Sequence, residues 1–165
     1  MKPELPRLAA LSAVIGQDLS AIRRLDAELT TLRAGVTAAQ PAFRDLAAAA
    51  YLLHNLYNAM ENAFEQISRT FENHITDPAQ WHKELLGKMF LDIPTVRPAV
   101  LPPELRGFLS ELRAFRHIFR HSYDYELDAE RLGDLVQAWT GHRDAILDAL
   151  TAFADCLMVQ VRKEP

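Results

Sequence analysis

The sequence predicts an all-α fold, a single bundle of five helices. The 165-residue chain contains only six glycines, and no Asn-Gly or Asp-Gly pair separates alternating apolar runs as it would in a β-hairpin. Apolar residues instead recur at intervals of three and four along almost the whole chain. Because 49% of the residues are hydrophobic, a chain of this length can bury a core without disulfides or a structural metal. We expect residues 1–165 to form one domain.

Two long helices are predicted in the first half of the chain. The first is expected over about Leu8 to Leu32, and Gly35 follows it, a common residue just beyond the last helical turn. The second is expected over about Pro41 to His74. Its apolar residues alternate spacings of three and four, which predicts a continuous buried seam. The seam comprises Phe43, Leu46, Ala50, Leu53, Tyr57, Met60, Phe64, Ile67 and Phe71.

The three remaining helices are separated by proline and polar residues. The third is expected after Asp77-Pro78, since Asp caps helices and Pro fits the first helical position, and it ends near Phe90. A proline-rich connector, Pro94 to Pro103, leads into the fourth helix. A turn at Ser122–Leu127 precedes the fifth helix, expected from Asp128 to about Val161. Long helices joined by short connections pack as an up-down bundle.

Composition excludes several classes of protein. The lone Cys156 rules out an intramolecular disulfide framework and fits a reducing compartment such as the cytoplasm. The first ten residues include Pro3, Glu4 and Pro6, which is unlike a signal peptide. No apolar run approaches the ~20 residues of a membrane helix, so no membrane contact is expected. With a net charge of -4, any contact with nucleic acid requires a local basic patch.

Such a basic patch occurs at the end of the fourth helix. Residues 97–121 contain five Arg and two Glu, a net charge of +3, which leaves -7 for the rest of the chain. The patch contains Arg and no Lys, which favours planar, bidentate contacts with phosphate. A solvated helix face, with arginines paired to Glu111, explains the charge equally well.

Helix geometry restricts how this patch could work. Arg116 lies at the edge of the apolar stripe of the fourth helix, whereas three neighbours face outward: Arg113, His117 and Arg120. Arg116 and His121 are five residues apart, so they diverge by about 140° on a straight helix. They cannot both contact one phosphate from a single unbroken helix. Either the helix breaks near His121, or two chains bring their copies together.

One segment resembles a known family. The run Arg116-His-Ile-Phe-Arg-His121-Ser-Tyr123 matches the Arg-x4-His-x-Tyr signature of HepT-like toxins, which are helical ribonucleases of the HEPN superfamily. Residues 51–67 also resemble the second helix of these proteins, and the similarity extends over roughly residues 41–135. The resemblance implies an all-α, five-helix HEPN-type bundle that forms a homodimer. It also implies a metal-independent endoribonuclease that needs no cofactor.

The resemblance assigns roles to individual residues. Arg116 would hold the scissile phosphate of an RNA substrate, and His121 would act as general base or acid during attack by the ribose 2′-hydroxyl. The two motifs of a homodimer would face each other across a cleft. The charge of the basic patch, rather than the resemblance, predicts that three more of its residues contact phosphate: Arg113, His117 and Arg120. Tyr123 would receive AMP from a cognate nucleotidyltransferase antitoxin, and the added phosphate charge would silence the nuclease. This corresponds to a type VII-like toxin–antitoxin system and implies a location in the bacterial cytoplasm.

Other interpretations of these residues stay open. The chain could instead be a catalytically silent HEPN module that serves as a binding or scaffold subunit for a nucleotidyltransferase. His121 could simply be a cation at a helix C-terminus. His117 and His121 have a spacing that can bind zinc, with Asp124 one turn further, although no metal is expected.

Polar residues on the second helix are weaker candidates. His54 and Glu61 flank its apolar seam at a seven-residue interval, and Asn55 and Asn58 are similarly placed. We regard them as candidates to line the cleft. The polar flank of a buried helix explains them as well.

Overall fold

The computed structural model describes residues 3–72, 81–121 and 126–163. Within these ranges the chain forms five α-helices, and a short 3-10 helix at Pro103–Leu105 leads into the fourth. The α-helices are α1 (Leu5–Val36), α2 (Phe43–Phe71), α3 (Trp81–Met89), α4 (Arg106–His121) and α5 (Ala129–Lys163). No strand forms in the described ranges, which contain a single isolated β-bridge. The all-α prediction is therefore confirmed.

Helix α1 is longer than predicted, and the role assigned to Gly35 was wrong. The helix continues through Gly35 to Val36, and Gly35 has no positive φ. Thr37 follows the last helical residue, and both its backbone N–H and its hydroxyl donate to the Arg33 carbonyl, at 3.0 and 2.9 Å. A Cβ on Gly35 would lie 2.5 Å from Asp45 Oδ2. The glycine therefore allows the close approach of α1 to the start of α2.

Helix α2 lies at the centre of the bundle and packs against each of the other four helices. Its predicted seam is buried from Leu46 to Ile67. The exception at its start is Phe43, which is 74% exposed. The end of α1 meets α2 at Asp45, so Phe43 lies beyond this contact. At the other end Phe71 is partly buried and meets Phe153 of α5 edge to face, with ring centroids 6.2 Å apart.

A buried arginine fixes the connector between α3 and α4. Ile93 and Arg97 form the isolated bridge around a tight turn, in which Thr95 has a φ of 66°. The Arg97 side chain is fully buried and donates to Glu72 at the end of α2 and to three backbone carbonyls, those of Lys88, Leu91 and Pro98. The predicted cap of α3, Asp77-Pro78, lies outside the described residues, as does the predicted end of α2 at His74.

Helix α5 begins where predicted. The Asp128 carboxylate accepts a hydrogen bond from the Arg131 backbone N–H at 3.1 Å, which is the usual geometry of an N-terminal cap. Helix α5 packs along α1, and Asp26 of α1 accepts hydrogen bonds from Trp139 Nε1 at 2.8 Å and Arg143 Nη1 at 3.2 Å. Helix α4 packs against α2, α3 and α5. None of the described helices is both long and apolar enough to cross a membrane.

Candidate functional site

A polar pocket of about 380 Å³ lies between α2 and α4. Its α2 residues recur at intervals of one to four, so they form one face of that helix. Two arginines from α4 complete the pocket. The lining residues are His54, Asn58, Glu61, Asn62, Glu65, Arg116 and Arg120. The pocket thus contains two arginines and two glutamates, so its positive charge is locally balanced.

Arg116 is buried at the wall of this pocket rather than extended into solvent. Its side chain is 9% exposed. Nη2 lies 2.7 Å from Glu61 Oε2, and Nε donates to Asn58 Oδ1 at 2.7 Å. The guanidinium carbon lies 5.8 Å from the ring centroid of buried Tyr57, within the range of a cation–π contact. Within the described residues, Nη1 has no hydrogen-bonding partner. That nitrogen is left to contact a ligand.

Glu61 carries the opposite charge and is equally buried. Its side chain is 7% exposed, and its second oxygen, Oε1, lies 2.6 Å from Nδ1 of His82 on α3. A buried carboxylate is costly unless both oxygens are paired. Arg116 and His82 provide those partners from two different helices. Burial of Tyr57 raises the pKa of its phenol well above the ordinary value, and the negative charge of Glu61 raises it further.

His54 also lines the pocket, and its surroundings favour the uncharged imidazole. Asn58 Nδ2 is 2.9 Å from His54 Nε2, and the imidazole ring packs against Phe119 with centroids 5.4 Å apart. Burial lowers the pKa of His54, and the positive charges of Arg116 and Arg120 lower it further. His54 Nδ1 is buried and has no hydrogen-bonding partner among the described residues.

The remaining motif residues lie on other parts of α4. Arg120 is exposed and lines the pocket with Arg116. His121 and His117 are also exposed, but neither lines the pocket, and their rings lie against each other with centroids 4.8 Å apart. Arg113 is partly exposed and also lies outside the pocket. Arg116 and His121 therefore do not share one pocket within a chain, as the helix geometry predicted.

The α2 candidates separate into two groups. His54, Glu61 and Asn58 line the pocket. Asn55 does not line it, and its amide donates to the Tyr51 carbonyl on its own helix at 2.9 Å. Tyr123, the predicted modification site, lies outside the described residues.

Three residues of the site were not singled out by the sequence: Asn62, Glu65 and His82. Asn62 and Glu65 could have been found from the sequence. The spacing of residues 54, 58, 61, 62 and 65 marks a polar face on an otherwise apolar helix. Nothing local marked His82, which reaches Glu61 across 21 residues of sequence.

A larger groove, of about 720 Å³, lies at the end of the bundle formed by the start of α1 and the connector before α4. Its buried cation is Arg97, whose guanidinium is bonded to Glu72 and to backbone carbonyls. These bonds serve the fold. The smaller pocket on α2 and α4 is therefore the better candidate for chemistry.

The zinc alternative has limited structural support. In the part of the chain that the structure describes, no three His, Cys, Asp or Glu residues cluster closely enough to hold a metal ion. Asp124, the third proposed ligand, lies outside that part.

Comparison with protein families gives a match over most of the chain. A family described as HepT-like protein matches residues 48–157, which include all of the pocket residues and the Arg116–His121 motif. Neither the curated proteins nor the solved structures gave a match. The family match covers about two thirds of the 165 residues. The chain therefore belongs to the HepT-like family of the HEPN superfamily.

Proposed function

We propose that this protein is a metal-independent endoribonuclease and the toxin of a type VII-like toxin–antitoxin pair. Family membership supports the proposal, and one observation carries it. Arg116 is held at the wall of a polar pocket with Nη1 available to a ligand, and His121 ends the same helix. A fixed guanidinium can stabilise the charge that develops during phosphodiester cleavage, and a histidine can transfer the proton.

In the proposed reaction the ribose 2′-hydroxyl attacks the adjacent phosphorus, and the bond to the 5′-oxygen of the next nucleotide breaks. His121 exchanges the proton, as base for the attacking hydroxyl or acid for the leaving oxygen. Arg116 stabilises the additional negative charge of the pentacoordinate phosphate. Arg120, Arg113 and His117 contribute positive charge or hydrogen bonds along the RNA backbone. The products are a 2′,3′-cyclic phosphate and a 5′-hydroxyl.

We further propose that the active unit is a homodimer with a composite site. Arg116 faces the pocket, whereas His121 is exposed outside it. A second chain, related by two-fold symmetry, would bring its His121 towards the Arg116 of the first. The fourth helices would then meet near the symmetry axis.

The activity is tested on purified protein with unmodified Tyr123, verified by mass. We expect cleavage of single-stranded RNA in the presence of a metal chelator, with 2′,3′-cyclic phosphate ends. His121→Ala should abolish cleavage. His142→Ala is the matched control, because His142 lies on α5 and stacks on Phe108 rather than lining the pocket. Loss of activity in chelator would instead favour the metal site at His117 and His121.

We also propose that a cognate nucleotidyltransferase silences the toxin by adding AMP to Tyr123. The adenylate phosphate would compete with RNA for Arg116 and Arg120. Tyr123→Phe should stay toxic when the antitoxin is co-expressed and should gain no adenylate mass, whereas Tyr125→Phe should be neutralised like wild type. Neutralisation of Tyr123→Phe with the wild-type mass increment would exclude Tyr123 as the switch.

A second function is favoured by the charge balance of the pocket. Because Glu61 pairs with Arg116, the pocket attracts phosphate less than two free arginines would. This fits a catalytically silent module that binds or scaffolds a nucleotidyltransferase. The RNA assay separates the two functions, since the silent module would not cleave.

A further inference from the structure

A continuous series of polar contacts connects helices α3, α2 and α4, and Arg116 is its middle member. His82 Nδ1 lies 2.6 Å from Glu61 Oε1, and Glu61 Oε2 lies 2.7 Å from Arg116 Nη2. Arg116 Nε donates to Asn58 Oδ1 at 2.7 Å, and Asn58 Nδ2 lies 2.9 Å from His54 Nε2. We call these five residues the Arg116 network. It joins α3 to α2 and α2 to α4.

The donor and acceptor roles in this network are fixed by Arg116. A guanidinium only donates, so the Asn58 atom facing Arg116 must be its oxygen and the atom facing His54 its nitrogen. His54 Nε2 must therefore accept, which puts the imidazole proton on Nδ1. Because Nδ1 is buried, His54 cannot exchange a proton with a substrate in the pocket. His54 orients Asn58, and Asn58 orients Arg116.

We infer that Glu61, Asn58 and His54 are positioning residues that hold the Arg116 guanidinium in one orientation for phosphate cleavage. The inference rests on the proposed ribonuclease activity and adds the residues through which Arg116 acts. Two of the three guanidinium nitrogens, Nε and Nη2, are engaged by Asn58 and Glu61. Nη1 has no hydrogen-bonding partner among the described residues and can meet the phosphate. A cation held in place before substrate binds stabilises developing charge without reorganising during the reaction.

Positioning by Glu61 and simple charge effects predict opposite results. Glu61 is negative and lines the pocket, so by charge alone its removal would favour RNA binding and leave the chemical step intact. If Glu61 positions Arg116, its removal slows the chemical step, because a misplacement of about 1 Å can cost about 100-fold in rate. Kinetics separate the two effects, because the charge effect changes KM and the positioning effect changes kcat.

Glu65 offers a matched control for Glu61. It lies one turn further along α2, lines the same pocket, and forms an ion pair with Arg69 on its own helix rather than with Arg116. Glu61→Gln and Glu65→Gln therefore remove the same charge from the same pocket. We expect Glu61→Gln to lower kcat by about 10- to 100-fold with KM changed less than about threefold. Glu65→Gln should lower KM while kcat stays within about twofold.

A second matched pair tests the Asn58 step. Asn58→Ala should lower kcat by about 10-fold, whereas Asn55→Ala, whose side chain bonds only to its own helix, should not. His54→Gln should lower kcat and keep the shape of the pH–rate profile, since a positioning residue does not transfer the proton. Loss of one limb of that profile in His54→Gln would overturn the positioning role and make His54 an acid or base.

Failure of the network can be distinguished from failure of the proposed nuclease. The Arg116 Nε–H resonance, assigned with Arg116→Lys, should be resolved and slow to exchange in wild type and fast to exchange in Asn58→Ala, which removes its acceptor. This measurement requires no RNA cleavage. If wild type does not cleave RNA but the resonance behaves as expected, the nuclease proposal fails and the network stands. Equal kcat for Glu61→Gln and Glu65→Gln, or unchanged exchange of Nε–H, would overturn the network.

Discussion

The buried pair of Arg116 and Glu61 makes a quantitative prediction about stability. The two side chains are only 9% and 7% exposed, so each charge depends on the other for compensation. Arg116→Met would leave the Glu61 carboxylate buried with one partner. Glu61→Gln would leave the guanidinium without its counter-ion. The double variant removes both charges at once.

The magnitude follows from the partners that survive each change. Breaking a buried ion pair by removing one member costs about 3–5 kcal/mol. After Arg116→Met, His82 remains 2.6 Å from Glu61 and is 37% exposed, which reduces the cost of the unpaired carboxylate. After Glu61→Gln, Asn58 still accepts from Arg116, which reduces the cost of the unpaired guanidinium. We therefore expect each single variant to lose about 2–3 kcal/mol of unfolding free energy. The double variant should lose about the same amount rather than the sum, a coupling of about 2 kcal/mol.

The assay is urea denaturation followed by far-ultraviolet circular dichroism, with all four proteins at the same protomer concentration. All four should be helical without urea, since domains of this size have about 5–15 kcal/mol of stability. Additive losses, within about 0.5 kcal/mol, would refute the direct pairing of Arg116 with Glu61. Arg116→Lys is a better catalytic test than Arg116→Ala, because lysine retains a positive charge beside Glu61.

Three further predictions concern individual contacts. Burial lowers the pKa of His54, so the folded protein binds this proton less tightly than the unfolded chain does. The protein therefore loses stability as pH falls below the ordinary value of 6.5. The urea midpoint of His54→Gln should depend less on pH than that of wild type between about 7.5 and 5. Asp26→Ala removes the acceptor of buried Trp139 Nε1 and should cost about 1–3 kcal/mol, measured by thermal denaturation. Asp128→Ala removes the cap that accepts from the Arg131 N–H and should cost about 1 kcal/mol in the same assay.

Local chemistry made most of the fold predictable. The α2 seam was visible as spacing, and Asp128 marked the start of α5 because a capping carboxylate acts on the next turn of its own helix. The prediction at Gly35 was wrong because a glycine near a helix end can either stop the helix or make room for a neighbouring side chain. Here it makes room for Asp45, which belongs to the next helix, so no local pattern could distinguish this use from a helix stop.

The site was predictable in part, for the same reason. The edge position of Arg116 followed from helix periodicity, but its burial did not. An arginine at the edge of an apolar stripe is expected at a polar cleft, and its burial here depends on Glu61 and Asn58, which are 55 and 58 residues away in sequence. His82 was not foreseen, because its role exists only once α3 packs beside α2.

The most direct test of the central claim is subunit mixing in the RNA-cleavage assay. Arg116→Lys and His121→Ala chains should each be inactive alone, because each lacks one of the two groups. If Arg116 of one subunit works with His121 of the other, half of the dimers formed by random exchange are mixed, and each mixed dimer has one intact site of two. We predict recovery of about a quarter of the wild-type activity after mixing. No recovery, with exchange of subunits verified, would contradict a composite site built from Arg116 and His121.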